Sequence, residues 1–235
     1  MGIWKNDIEP EFIEDSKRSY GHRTWANAEW SDITLAFAVD FSSPGEVTTK
    51  KAAGDKYVSY ALSFEDIYGR EFETLEEHRL SAQERRRRME ESVRRVAGAI
   101  RSNPHYSEEG IRLNVAGNSM ITLSKFKLYE WDVFDVVASV IRGLLEEGIK
   151  IKEIRSGGQT GIDEFGIVAA QYLGVKCSIL APKGFRMHYK EGEEIEGMER
   201  FVGRFLSDAK MYKSRFDQIP VRHLDSLKGI IPVYD

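Results

Sequence analysis

The chain has 235 residues, 41% of them hydrophobic and 11% aromatic, with a formal net charge of −4. That is enough apolar material for one or two cored domains, and the mild acidity argues against bulk attraction to nucleic acid or an anionic membrane. The single cysteine, Cys177, leaves no internal disulfide, and no Cys/His cluster has zinc spacing.

Cys177 lies in the apolar run Cys177-Ser178-Ile179-Leu180-Ala181 and reads as a small buried hydrophobe. No apolar run approaches the roughly eighteen residues of a membrane span. Residues 1–7 lack the charged-then-apolar pattern of a secretory signal, so a cytoplasmic location without membrane contact is expected.

Residues 1–31 are polar and aromatic without a clear period, and an irregular arm held by Tyr20, Trp25 and Trp30 is expected there. His22 and Arg23 sit between aromatics, and His22 reads as a packed, hydrogen-bonded side chain. Residues 33–41 read as a strand bounded by the turn residues Ser42-Ser43-Pro44-Gly45, residues 46–53 as a short helix stopped by Gly54, and residues 57–62 as a second strand. Asp40, Ser42, Glu46, Thr48, Lys50 and Lys51 cluster around the first strand end, as a turn and exposed helix, as a second polar site, or as an extension of a site at the later strand ends.

Residues 73–101 are the longest helical stretch, with a narrow apolar stripe and a dense charged face that includes Arg85-Arg86-Arg87-Arg88. Glutamates three or four residues away balance those arginines, so a solvated face is the first reading and a partner-binding face the second. Asn103-Pro104 ends this helix and marks a boundary.

From residue 111 the pattern alternates: strands at 111–116, 151–155 and 175–181, and helices at 131–145, 162–173 and 196–209, with Gly148 and Gly174 closing two of the helices. Such alternation implies right-handed crossovers and a parallel sheet. The expected fold is α/β, a Rossmann-like parallel sheet with flanking helices (107–235) preceded by a smaller α+β region (1–106).

A parallel sheet delivers its loops to one edge. Ser156-Gly157-Gly158-Gln159-Thr160-Gly161 follows a strand and opens a helix, a place where glycines admit a ligand to the main chain and free helix amides attract phosphate. Gly117, Asn118 and Ser119 add donors from the preceding strand end, and Lys183 and Arg186 add cations from the following one. Asp163 and Glu164 stand in the first helical turn, where acids favour the helix dipole. A carboxylate there also suits ribose hydroxyls, or could stabilise a ribosyl cation or activate water, so both are the candidate catalytic residues.

These motifs resemble the SLOG superfamily of Rossmann-like nucleotide-binding domains, which includes cytokinin-activating phosphoribohydrolases, YpsA-like proteins and molybdenum-cofactor carriers. The run Ser156-Gly157-Gly158-Gln159-Thr160-Gly161-Ile162-Asp163, then Ala169-Ala170, Leu173-Gly174 and Pro182-Lys183-Gly184-Phe185-Arg186, is similar to the carrier proteins. Gly117-Asn118-Ser119 is more similar to the YpsA-related branch, with Met120 where that branch places arginine. Counted from Gly157, Glu164 falls on the catalytic glutamate of the phosphoribohydrolases, with their Gly-Thr pair reversed to Thr160-Gly161. The resemblance covers residues 111–210 only.

It implies a nucleotide-like ligand held at the glycine loop, in a sensor or carrier, with N-glycosidic cleavage using Glu164 and a molybdenum-cofactor carrier as alternatives; the charged helix 73–101 offers a further one, a scaffold binding a protein partner. Nucleic acid is not an expected partner. Helices 131–145 and 73–101 are the surfaces on which a homodimer would form.

Overall fold

The computed structural model describes residues 8–63, 67, 75–189 and 193–216. In chain order the elements are β1 (Glu11–Glu14), α1 (Tyr20–Trp30), β2 (Ile33–Ala38), α2 (Pro44–Ala53), β3 (Tyr57–Ala61), α3 (Leu75–Arg101), β4 (Ile111–Gly117), α4 (Met120–Lys125), α5 (Glu130–Glu146), β5 (Ile151–Ser156), α6 (Ile162–Leu173), β6 (Cys177–Ala181), the two-residue strands β7 (Met187–His188) and β8 (Glu194–Ile195), and α7 (Met198–Phe216).

Six strands form one parallel sheet in the order β1-β6-β5-β4-β2-β3. All six residues of β2 are buried, as a strand covered on both faces must be. Helix α5 buries the stripe Val133, Val137, Ile141 and Leu144, and α6 is buried along its whole length. Gly174 ends α6 with φ 74°, a left-handed conformation that lets the Val175 amide return to the Ala170 carbonyl at 2.9 Å. Cys177 is buried, and burial pushes its thiol pKa up, so the thiolate is suppressed.

The winding direction positions the site. From β2 the chain passes through α2 to β3 on one side, returns through α3 to β4 on the other side of β2, and then continues to β5 and β6. Right-handed crossovers in opposite directions place α2 on one face and α3, α5 and α6 on the other. Consistently, α1 packs on α2, whereas α3, α5, α6 and α7 pack on one another. The direction of winding therefore switches between β2 and β4, which opens a crevice at their carboxyl ends.

Two expectations change. Residues 8–31 are not an irregular arm: β1 pairs with β6 at the sheet edge, and Phe12 packs edge-on against Phe201 and Phe205 of α7. The boundary expected at 106/107 falls inside one sheet, because β2 pairs with β3 and also with β4, Ile33 opposite Leu113 through Phe37 opposite Gly117. Within the charged helix, residues 73 and 74 and the side chains of 75–82 lie outside the described residues, as do residues 1–7 and 217–235. No described helix is long and apolar enough to cross a membrane.

Candidate functional site

A cavity of about 320 Å³ lies at this switch point, within the size range of small-molecule sites. Its floor is the end of β4, Asn114 to Gly117. Its walls are the turn and first half of α2 on one side and the loops after β4 and β5 on the other, and α1 lies across it. The cavity has depth because β4 offers small side chains there: Asn114 and Ala116 face α1 and α2, where larger residues would fill the space.

Asn118 holds the two turns together. Its Oδ1 accepts from the Val39 and Asp40 amides at 2.9 and 3.1 Å, and its Nδ2 donates to the Asp40 carbonyl and to Ser43 Oγ, both at 3.3 Å. The preceding Gly117 has no room for a side chain, since a Cβ would overlap the Phe37 carbonyl of β2. Asn118 is thus a clamp on the crevice wall and spends its donors on the protein. Ser119 bridges to Gly161, with the Met120 amide on the Thr160 carbonyl at 3.0 Å.

This bridge changes the expected anion site. The start of α6 is covered by the β4–α4 turn: the Ile162 amide donates to the Asn118 carbonyl at 3.4 Å, and the Glu164 amide to the Gln159 carbonyl at 3.2 Å. The Asp163 carboxylate faces the main-chain amides of Gln159, Gly157 and Gly117. The loop amides expected to cradle a phosphate thus have a carboxylate of the protein itself beside them. Burial pushes the Asp163 pKa up, while Arg23 and these amides pull it down.

The other predicted residues divide sharply. Gly117, Asn118, Ser119, Gly157, Gln159 and Asp163 line the cavity. Ser156 is fully buried, donating to the Val115 carbonyl at 2.6 Å. Gly158, with φ 67°, packs where a Cβ would press on Ile179 and Phe201, and Thr160 is fully buried. Gly161 packs against the backbone of Asn118 to Met120. Lys183 is exposed and outside the cavity lining, and Arg186 is ion-paired to Glu194 of β8.

Glu164 points away from the cavity. It is fully buried against α7, where Arg204 Nη1 lies 2.9 Å from Glu164 Oε1 and 2.9 Å from Asp208 Oδ2. The reason is helical geometry: adjacent residues lie about 100° apart around a helix, so Asp163 and Glu164 cannot serve one pocket equally. Glu164 is a structural ion-pair residue.

Helix α1 and the start of α2 supply what sequence reasoning passed over. Arg23 donates through Nη1 to the Gly157 carbonyl at 2.9 Å and through Nη2 to Asp163 Oδ2 at 3.3 Å, with its guanidinium over the Tyr20 ring. Tyr20, Arg23 and Asn27 follow one another at three- and four-residue spacing, so one helix face delivers them to the cavity. That spacing was the available signal, obscured by the more conspicuous tryptophans nearby. Glu46, expected on an exposed helix or in a polar cluster, is 3% exposed, lines the cavity and accepts from the Tyr57 hydroxyl at 2.7 Å. Burial raises the Glu46 pKa, and the charge of Asp163 raises it further. Asp40 is instead spent on its own turn, accepting from the Ser42 amide and hydroxyl at 2.8 and 2.6 Å.

Among the described residues no group of three or more acidic, histidine or cysteine side chains could hold a metal ion. Comparison with family models, curated proteins and solved structures finds no match. The fold and the cavity define the chain as a Rossmann-like α/β protein with a buried polar crevice at its switch point.

Proposed function

We propose that the crevice binds a phosphate-bearing, nucleotide-derived ligand, and that the protein acts as a sensor or carrier of it. One observation carries this reading: Asn27 Oδ1 and Arg23 Nε are buried in the cavity wall with no hydrogen-bond partner. Buried polar atoms are almost always satisfied, so a ligand with complementary polar groups is the natural partner.

The location of the phosphate differs from the glycine loop expected from the sequence. The Ile162 and Glu164 amides of α6 already donate within the protein, but the first turn of α2 faces the cavity through Ser43, Pro44 and Gly45, and Ser43 makes no side-chain cap to it. That helix terminus carries positive potential, and Arg23 lines the same cavity. Asp163, which lines the cavity and is held by Arg23, would accept ribose hydroxyls.

The test is mass spectrometry of small molecules released from the purified protein, paired with thermal-shift titration of nucleoside mono- and diphosphates. A retained nucleotide or a saturable rise in Tm is expected. An empty protein that shows no shift at millimolar nucleotide would overturn the reading.

A second reading, cleavage of the ligand's N-glycosidic bond, is favoured by the single fact that Asp163 is a cavity carboxylate. Asp163 would stabilise positive charge on the ribosyl carbon while water adds there and the base departs with a proton. Base release that survives Asp163→Asn at full rate would remove it. Glu164 has no part in either reading.

A further inference from the structure

The closed end of the cavity has a chemistry of its own. Asn114 lies three residues before Gly117 on β4, so the cavity runs roughly 10 Å down the strand at about 3.3 Å per residue. Asn27 of α1 and Glu46 and Thr49 of α2 line the cavity too, and the carboxylate of Glu46 reaches toward this level, because the Tyr57 from which it accepts stands in register with Thr34 and so with Asn114. Asn27 is 4% exposed and Glu46 is 3% exposed.

Both side chains lack a full set of partners. Asn27 Oδ1 has none. One Glu46 oxygen accepts from Tyr57. The groups acting on Glu46 are that hydroxyl and the negative charge of Asp163, and no cation among the described residues is one of them. A buried carboxyl without a cation is costly unless donors reach it. Thr49 does not help, because its hydroxyl donates to the Gly45 carbonyl at 3.0 Å.

A slot that ends in unsatisfied acceptors calls for a ligand edge with adjacent N–H donors. Among the nucleobases, guanine presents two side by side, the ring N1–H and the 2-amino group. Adenine and cytosine present an amino group beside a ring acceptor, and uracil presents one N–H between two carbonyls.

We infer that the slot between α1 and α2 reads a guanine-type base edge, with Glu46 and Asn27 accepting its paired N–H donors while the phosphate end lies toward the mouth. This rests on the nucleotide-binding reading above and specifies its substrate class. Recognition through buried acceptors discriminates strongly, because a base lacking the donors leaves them unpaired.

The experiment is calorimetric titration of the whole protein with GMP, IMP, AMP, UMP and ribose 5-phosphate. GMP should bind tightest. IMP, which keeps N1–H and lacks the 2-amino group, should be weaker by roughly tenfold, and AMP weaker still. In Glu46→Gln, whose amide turns a donor toward the base, the preference for GMP over AMP should fall to within about threefold. Asn27→Ala should narrow the gap between GMP and IMP.

Equal affinity for all five compounds, or tighter binding of AMP than of GMP, overturns the base reading and leaves nucleotide or phosphate binding standing. No binding by any of them overturns the nucleotide reading itself, and this inference with it.

Discussion

Arg23 of α1 lies directly on Gly157 of the loop after β5: its Nη1 meets the Gly157 carbonyl at 2.9 Å, and a Cβ at position 157 would overlap the guanidinium carbon. The glycine admits a protein cation to the main chain, where the sequence had suggested the approach of a ligand. Gly157→Ala should therefore act through Arg23. Displacing the guanidinium leaves Asp163 buried without its cation, a loss of about 3 kcal/mol. Thermal denaturation should show Tm lower by roughly 6–12 °C, with ligand affinity lost in the same variant. A Gly157→Ala protein with unchanged Tm would mean that Arg23 is not held there.

Asn118 joins the β2–α2 turn to the β4–α4 turn through four hydrogen bonds. Asn118→Ala strips the acceptor from the Val39 and Asp40 amides, and about 2 kcal/mol of stability should go with it. Asn118→Asp keeps that acceptor and loses only the two donations, so it should cost less. If Asn118 acts as a clamp, ligand affinity should follow stability across the pair, with alanine worse than aspartate. The reverse order would point to direct ligand contact.

Much of the fold was legible because its signals are local. The helix expected at 162–173 is the observed Ile162–Leu173, since its apolar periodicity ends at a glycine that takes the left-handed conformation. The strand expected at 33–41 stops earlier, at Ala38, because Val39 and Asp40 turn to donate to Asn118, a residue far along the chain. The site was harder to read for the same reason. Gly157, Gln159 and Asp163 were in view as loop chemistry, but the placing of Asp163 beside the loop amides is a tertiary choice. So is the approach of Tyr20, Arg23 and Asn27, carried by a helix without acidic residues in its first turn or a side-chain N-cap to announce it.

Glu164 separates structure from function. Its pair with Arg204 is almost wholly buried, with side chains 1% and 7% exposed. Glu164→Gln keeps the shape, leaves Arg204 with Asp208, and should cost about 3 kcal/mol in chemical denaturation. Ligand affinity, measured well below the lowered Tm, should stay within about twofold of wild type, an energy difference under the tenfold interval of 1.4 kcal/mol. Lost affinity in a variant that remains folded would return Glu164 to the site.

Glu46 should make stability depend on pH in a direction opposite to that of a salt-bridged acid. Burial and the facing charge of Asp163 raise its pKa above the ordinary value of 4.5, and the Tyr57 hydrogen bond only partly offsets them. The folded state thus holds the Glu46 proton more tightly than the unfolded chain does. Where the folded state binds more protons, stability falls as pH rises. The contribution of Glu46 is unpenalised below about pH 4.5, and the penalty grows as pH climbs from there through the raised folded value. Glu46→Gln keeps an acceptor for Tyr57 and removes the titration. Denaturation of both proteins between pH 4 and 8 should show the variant gaining on wild type with increasing pH and matching it most closely at the acid end. A gap that is constant with pH, or that widens toward acid, would mean that Glu46 is charged in the folded protein and paired with a group that compensates it.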